Sequence, residues 1–205
     1  THMRKDMSIA VIGAGAIGGI TAAYLTKAGY DVEIVCKYPD KAQQAKTKGL
    51  HIVGVRGEHY VPMKAVAKVD ELSGSKDIVL IVTKAYDMPE AARDVLPFLK
   101  DDSLVVSMQN GICVEALAEV VGDERAVGCV VGWGSTMLKD GTLNMTSGGD
   151  FVIGACKDKD LTLLKEVLDE FLPTRISDNI ISDLYSKMII NACITSVGVL
   201  SGLYL

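Results

Sequence analysis

A short apolar run followed by a glycine-rich turn constrains this chain more than any other stretch. Residues 9–12 are all apolar, which is typical of a strand buried on both faces of a parallel sheet. A G-x-G-x-x-G motif follows at once, and it consists of Gly13, Ala14, Gly15, Ala16, Ile17 and Gly18. A helical pattern then covers 17–28 and meets Gly29, a common residue type at a helix end. The order of strand, glycine turn and helix predicts a dinucleotide-binding unit.

The three glycines have separate roles in such a unit. Gly13 permits the tight turn, Gly15 lets the backbone approach a pyrophosphate, and Gly18 allows the helix to pack closely on the strand. The N-terminus of the helix offers free N–H groups and a partial positive charge to the two phosphates. The alternative is a glycine-rich turn in an α/β domain that binds no ligand.

The end of the second predicted strand, over 31–36, bears on which dinucleotide binds. An NAD site places Asp or Glu there, about 20 residues past the glycines, to hold the ribose 2′-hydroxyl. This chain has Lys37 instead, with further cations at Lys41 and Lys46. An ammonium attracts a 2′-phosphate whereas a carboxylate repels it, so the sequence favours NADP(H) as cofactor. The alternative is that Lys37 is a solvated turn residue.

Strand and helix patterns alternate through most of the chain. Further strands are predicted over 77–82, 104–108, 126–131, 143–146 and 151–154. Further helices are predicted over 39–48, 88–96, 114–121 and 161–172. Segments 50–55 and 59–66 alternate in polarity around a turn, which predicts an antiparallel hairpin. The alternation of strands with helices predicts an α/β fold with a doubly wound, mostly parallel sheet.

The C-terminal segment has a different character. Residues 180–205 contain no proline and no strand alternation, and they predict one long helix or two. Lys187, Asn191 and Thr195 are spaced i, i+4 and i+8, so they share one face of that helix. A polar stripe on an apolar helix favours a face toward a solvated cleft or a ligand. The alternatives are a lysine whose stem reaches water and a membrane span over 188–205.

Charge and cysteine usage narrow the function classes. The formal net charge of -5 argues against nucleic acid or an anionic membrane surface as the main partner. The cysteines are scattered without a C-x-x-C motif, which favours free thiols in a reducing cytoplasm over disulfides or a zinc site. The sequence therefore predicts a cytoplasmic protein that binds no metal, no nucleic acid and no membrane.

Four segments in this order resemble the ketopantoate reductase (2-dehydropantoate 2-reductase) family. They are the glycine motif, Thr83-Lys84-Ala85-Tyr86, Gln109-Asn110-Gly111, and Tyr185-Ser186-Lys187 followed by Asn191. The resemblance implies a Rossmann domain, here 4–176, followed by an all-helical substrate and dimerisation domain, of which 177–205 would be the beginning. The active site would lie in the cleft between the two domains.

The resemblance also implies roles for individual residues. Lys187 would be the proton donor and would bind substrate, and Asn191 would be a substrate ligand. Lys84 and Asn110 would contact the cofactor near the nicotinamide ribose, with Asn110 also close to the substrate. The backbone at Met137 would lie beside the nicotinamide.

The expected reaction is NADPH-dependent reduction of a 2-oxo acid, by default 2-dehydropantoate (ketopantoate) to pantoate in pantothenate biosynthesis. Thr195 occupies a substrate-binding position where the family usually has asparagine, so the resemblance implies the reaction class better than the substrate. Two alternatives are an NADP-binding module without catalysis and a related dehydrogenase of another 2-oxo or opine-like substrate. The apolar end of the final helix predicts either a fragment of a longer protein or a gene that ends early, and a homodimer through that helix is a further expectation.

Overall fold

The structure is a computed structural model that describes residues 5–84, 87–109 and 114–201, with side chains described up to residue 194. The elements of its first half are β1 (Ser8–Ile12), α1 (Ala16–Lys27), β2 (Asp31–Val35), α2 (Pro39–Thr47), β3 (Leu50–Gly54), β4 (His59–Val61), β5 (Lys64–Val66), β6 (Lys76–Ile81) and α3 (Met88–Val95). Those of its second half are β7 (Leu99–Ser107), α4 (Val114–Val121), β8 (Ala126–Val131), β9 (Gly134–Met137), β10 (Leu143–Ser147), β11 (Phe151–Ala155), α5 (Thr162–Asp169), β12 (Thr174–Ile176) and α6 (Ile180–Ser201).

The main sheet has the strand order β12-β11-β8-β7-β6-β1-β2-β5. β1 lies inside it and pairs in parallel with β2 on one side and β6 on the other. β11 is antiparallel to β8, and β12 runs parallel to β11. The predicted doubly wound, mostly parallel sheet is therefore confirmed.

Side chains that alternate along the strands build a core on each face of the main sheet. In β1, Ile9 and Val11 join the core formed with α1, α2 and α5, whereas Ala10 and Ile12 join the core formed with α3 and α4. This is the burial expected for parallel strands covered by helices on both faces. The carboxyl ends of β1, β2 and β6 consequently meet at one edge, where α1 begins.

A second, four-stranded sheet with the order β4-β3-β10-β9 packs against the outer side of α1. Its approach is close, because a Cβ placed on Gly19 would lie 2.4 Å from Cδ1 of Leu143. α1 is thus buried on all sides from residue 18 to residue 25, which explains why this helix is apolar all round.

The second sheet corrects two sequence predictions. β3 and β4 do form an antiparallel hairpin, but the predicted second strand over 59–66 is broken at Pro62. After this break the chain crosses to the main sheet, where β5 pairs in parallel with β2. Proline lacks an N–H for a strand ladder, which accounts for the break. The predicted strand over 143–146 is also real, but it belongs to the second sheet.

α6 is one continuous helix through Ser201, and its first turns are packed on the main sheet. Ile180 and Leu184 are buried against β8 and β11, where Gly128 and Gly154 leave room for them. Ile189, further along the helix, is 62% exposed. Within the described residues, no helix is both long enough and apolar enough to span a membrane.

Candidate functional site

The glycine turn between β1 and α1 contains two glycines that the fold requires and one that it does not. Gly13 has a φ of +116°, and a Cβ on Gly18 would lie 2.3 Å from the carbonyl oxygen of Gly13. Gly15 has an ordinary φ of -70°, and a Cβ there would meet no atom within 4 Å. The fold therefore explains Gly13 and Gly18, whereas the missing side chain at Gly15 leaves open space beside the helix.

The positive end of α1 faces this open space without an internal partner. Gly15 is the N-cap, no side chain caps the helix, and the first turn contains no acidic residue. The first N–H groups of a helix have no intrahelical acceptor, so this terminus can receive the oxygens of an anion. Ala16, Ile17 and Gly18 form the first turn, and Gly13, Ala14 and Gly15 line the space itself.

The open space is a cavity of about 1110 Å³, called the main cavity below, along the carboxyl ends of β1, β2 and β6. One wall carries cations: Lys37, two residues after β2, then Lys41 and Lys48. Lys37 holds a left-handed backbone conformation with a φ of +71°, which is uncommon outside glycine. The third predicted cation, Lys46, does not line the cavity.

The opposite wall and the far end of the main cavity have different chemistry. Carboxylates of Asp87, Glu90 and Asp94 stand along the side formed by α3. Lys84 lies on the segment after β6, and half-exposed Met137 lies at the end of β9. The lining of the main cavity thus includes cations near α2 and carboxylates near α3.

Lys187 and Asn191 lie in a separate place. They line a shallow depression of about 20 Å³, called the α6 depression below, whose other members are Gln109, Val130, Val131, Leu184 and Met188. Lys187 Nζ donates a hydrogen bond to the carbonyl oxygen of Val131. Burial lowers the pKa of Lys187, and the neighbouring Cys129 and Asp150 oppose this effect only in part.

The structure therefore brings the predicted site residues together in two groups. Gly13, Ala14, Gly15, Lys37, Lys84 and Met137 share the main cavity, and Lys187 and Asn191 share the α6 depression. Asn110 and the side chain of Thr195 lie outside the described residues. No group of three or more His, Cys, Asp or Glu side chains suited to a metal ion occurs in the part of the chain that the structure describes.

Sequence reasoning missed one wall of the main cavity and the side chain of Gln109. The missed wall comes from the second sheet and includes Leu50, His51 and Tyr60. It depends on the pairing of β3 with β10, strands about 90 residues apart, for which the sequence carries no local signal. The sequence presents Gln109 only as part of the motif 109–111, although its position after a buried strand places it at the same edge as the glycine turn.

An uncapped N-terminus of α1 after a glycine turn, beside a cavity along the strand ends, defines a fold of the Rossmann class, in which dinucleotides bind at this place. The chain belongs to the ketopantoate reductase PanE/ApbA family, whose model matches residues 9–158. The 2-dehydropantoate 2-reductase of Aquifex aeolicus (strain VF5) is 30% identical over 202 residues, which cover 95% of this chain and 63% of that protein.

Two solved structures show the same fold. A PanE/ApbA family ketopantoate reductase from Ralstonia eutropha JMP134 aligns with a TM-score of 0.80 and 26% identity over 90% of this chain and 61% of its own. A D-mandelate dehydrogenase in a ternary structure with NADH and anilino(oxo)acetate aligns with a TM-score of 0.80 and 26% identity over 88% of this chain and 60% of its own. The chain thus spans under two thirds of the length of these relatives.

Proposed function

We propose that this chain binds NADPH in the main cavity and that, together with the remainder of a longer protein, it reduces a 2-oxo acid, by default 2-dehydropantoate. The observation that carries the proposal is the open space at Gly15, beside the uncapped end of α1, in a cavity where Lys37 follows β2. A diphosphate fits that helix end because its oxygens can accept hydrogen bonds from the free N–H groups.

The preference for NADPH over NADH rests on the cations of the α2 wall. Lys37 follows β2 at the position where an NAD site has an acidic residue, and Lys41 lies one helical turn further along the same wall. A charge pair about 4 Å apart near a protein surface is worth about 4 kcal/mol before desolvation and screening reduce it. A net preference of about tenfold, which corresponds to about 1.4 kcal/mol, needs only a third of that attraction.

Lys187 is the proposed proton donor. The dihydronicotinamide ring, when bound, supplies a hydride to the carbonyl carbon of the substrate. The ammonium of Lys187 then stabilises the developing negative charge on the carbonyl oxygen and donates a proton to it, and Asn191 hydrogen-bonds the substrate. A lysine works best as an acid near neutral pH if its pKa is lowered, and burial lowers the pKa of Lys187. We also propose that α6 begins the helical substrate domain over 177–205.

Two other functions have a specific observation in their favour. The α6 depression measures about 20 Å³ and Lys187 already bonds a backbone carbonyl, which favours a module that holds NADP without catalysis. The similarity to a D-mandelate dehydrogenase solved with NADH and anilino(oxo)acetate favours a dehydrogenase that acts on another 2-oxo compound.

A nucleotide titration tests the cofactor. We expect calorimetry to show NADPH binding at least about tenfold more tightly than NADH, and we expect Lys37→Gln to remove most of that preference. Lys46→Gln is the matched control, because Lys46 lies in the neighbouring helix α2 but does not line the cavity. Equal affinities of the unmodified protein for the two nucleotides would contradict the NADPH assignment.

Turnover tests the chemistry. In a full-length protein supplied with NADPH and a panel of 2-oxo acids, we expect Lys187→Met to lower kcat by about 10²–10⁴-fold while NADPH affinity stays unchanged. Full turnover by that variant would remove Lys187 from the mechanism. NADPH binding without oxidation by any 2-oxo acid would establish the non-catalytic module instead.

Location and assembly complete the proposal. The described cysteines, Cys36, Cys129, Cys156 and Cys193, are all free thiols, and on this basis we propose a cytoplasmic protein. The exposed apolar residues Met188, Ile189 and Ile190 on α6 support pairing with a second copy. Sedimentation of the full-length protein as a monomer across the micromolar range would contradict the homodimer.

A further inference from the structure

The side chain of Gln109 connects the segment after β6 to the chain after β7. Its amide Nε2 donates to the carbonyl oxygen of Thr83 at 2.7 Å, to Thr83 Oγ1 at 3.1 Å and to the carbonyl oxygen of Lys84 at 3.3 Å. Gln109 is only 8% exposed, so these bonds are shielded from competing water. One amide group therefore holds the backbone of two consecutive residues.

The orientation of this amide is determined by its surroundings. Two backbone carbonyl oxygens face Nε2, and a flipped amide would place Oε1 against them without a hydrogen. On its other side Oε1 lies 3.4 Å from Ser107 Oγ, which can donate to it. The NH₂ group therefore points to the segment at Thr83 and Lys84, and the contact is specific to a residue with a donor at this position.

The hydrogen bonds from Gln109 to Thr83 and Lys84, called the clamp below, begin where the pairing of β6 with β7 ends. The last pairing between β6 and β7 joins Ile81 to Ser107, and the N–H of Met108 still reaches the carbonyl oxygen of Ile81 at 3.0 Å. Beyond that point Gln109 replaces the ladder with side-chain bonds. The carbonyl oxygen of Lys84 also accepts the N–H of Asp87 at 2.9 Å, which links the clamp to the start of α3.

Gln109 borders both parts of the site. Thr83 and Lys84, which it holds, line the main cavity, and Gln109 itself lines the α6 depression with Lys187 and Asn191. Because β2 ends at the adenosine half of a bound dinucleotide, the strand ends of β6 and β7 on the other side of β1 lie at the nicotinamide half. Gln109 thus lies between the nicotinamide half of the cavity and the residues proposed to handle substrate.

We propose that Gln109 is a positioning residue that keeps the Thr83–Lys84 backbone in the place required by the nicotinamide half of the cofactor, at a constant distance from Lys187 and Asn191. This inference rests on the proposed binding of a nicotinamide dinucleotide. It assigns no contact between Gln109 and the reacting atoms. Gln109 acts through the backbone that it holds.

The test compares a whole dinucleotide with its adenosine half. NADP⁺ reaches both halves of the cavity, whereas 2′,5′-ADP occupies only the adenosine half. In the Gln109→Met variant, which keeps the side-chain length and loses the donors, we expect NADP⁺ affinity to fall about tenfold and 2′,5′-ADP affinity to stay within about twofold. Ser107→Ala is the matched control, because it loses only the 3.4 Å contact, and it should bind both ligands as the unmodified protein does.

A second variant adds a readout that general loosening of the fold would not produce. In Gln109→Glu an ionised carboxylate would face the carbonyl oxygens of Thr83 and Lys84, so NADP⁺ should bind more weakly than to Gln109→Met at pH 8. A protonated carboxyl group can donate one hydrogen bond to Thr83, so NADP⁺ affinity should recover as the pH falls to 5.5. The affinity of 2′,5′-ADP is compared with that of the unmodified protein at each pH. Relative to that reference, it should not rise between pH 8 and pH 5.5.

Each outcome is decisive. Equal weakening of NADP⁺ and 2′,5′-ADP, or no weakening of either, would overturn the positioning role while leaving nucleotide binding intact. A Gln109→Glu variant whose NADP⁺ affinity did not recover at low pH would also overturn it. Failure of the unmodified protein to bind either ligand would overturn the proposed function, and the role of Gln109 with it.

Discussion

Charged side chains have different partners at the two ends of the parallel strands. At the amino ends three lysines pair with carboxylates: Lys76 with Glu33 at 3.0 Å, Lys64 with Asp31 at 2.7 Å and Lys100 with Asp77 at 2.7 Å. The first of these pairs is buried, with Lys76 only 1% exposed, and Ser8 and Ser73 supply further oxygens. Charge at this end is neutralised within the protein.

At the carboxyl ends, three lysines of the described part of the chain lack such partners. In the described ranges, Lys37, Lys41 and Lys48 form no ion pair, and all three line the main cavity. Lys187 bonds only a backbone carbonyl among the contacts described above. The comparison teaches that charge neutralised internally supports the fold, whereas charge left without a counterion is available to an anionic ligand or a reaction.

The largest expected effect concerns the buried pair at the amino ends. Lys76→Ala leaves the carboxylate of Glu33 buried without its cation, so we expect the free energy of unfolding to fall by about 3–5 kcal/mol. Urea denaturation measures this loss. The double variant Lys76→Met with Glu33→Leu removes both charges and should recover most of the stability. A single variant as stable as the unmodified protein would contradict the internal neutralisation of charge at this end.

The second prediction distinguishes a glycine that the fold requires from a glycine that ligand binding requires. Gly18→Ala places a Cβ against the carbonyl oxygen of Gly13, so the free energy of unfolding should fall by about 1–3 kcal/mol. Gly15→Ala meets no atom, so that free energy should stay within about 1 kcal/mol while NADPH affinity falls at least tenfold. Denaturation and calorimetry on both variants measure the two effects. Unchanged NADPH affinity in Gly15→Ala would contradict a diphosphate at the helix end.

The sequence was most informative where the structure is local. The run at 9–12, the glycine turn and the helix behind it are consecutive, so hydrophobic periodicity and turn chemistry predict them directly. The position of Lys37 follows from the same unit, because it lies two residues after the second strand. These elements are also the ones that build the main cavity at the strand ends.

What the sequence did not reveal depends on distant pairing. The second sheet joins β3 to β10, and the break at Pro62 sends β5 to the other sheet, although the local pattern reads as one hairpin. Helical periodicity places Lys187 and Asn191 on one face of α6. Which residues of β8 this helix face contacts depends on how Ile180 packs against Gly128 and Gly154. Packing between distant segments has no local pattern from which it could be predicted.

The third prediction sharpens the comparison for single lysines. Burial lowers the pKa of Lys187, whereas a hydrogen bond from Lys157 to Asp123 raises the pKa of Lys157. In a pH series of reductive methylation followed by mass spectrometry, the reaction midpoint of Lys187 should therefore lie at a lower pH than that of Lys157. The midpoint, unlike the absolute rate, does not depend on how accessible each amine is. The reverse order of midpoints would contradict the prediction that Lys187 has the lower pKa of the two lysines.

The smallest expected effect concerns an exposed pair at the amino ends. Burial alone would raise the pKa of Asp77, but hydrogen bonds from Lys100 and from the N–H of Ser8 lower it overall. A carboxyl group whose pKa is lower in the folded state stabilises the fold above its unfolded pKa of about 3.9, and this contribution is lost as the pH falls through the folded pKa. Asp77→Asn should therefore cost up to about 1 kcal/mol at pH 7.

The pH course distinguishes this cost from a loss of packing. The difference in unfolding free energy between Asp77→Asn and the unmodified protein, measured by urea denaturation, should shrink as the pH is lowered from 7 toward 3, because both proteins then carry an uncharged group at this position. Asp158→Asn, a change at an exposed carboxylate with no ion pair in the described part of the chain, should show no comparable difference at pH 7. A difference that widens on acidification would mean that Asp77 is stabilised in its protonated form, and the amino ends would then resemble the carboxyl ends in leaving charge uncompensated.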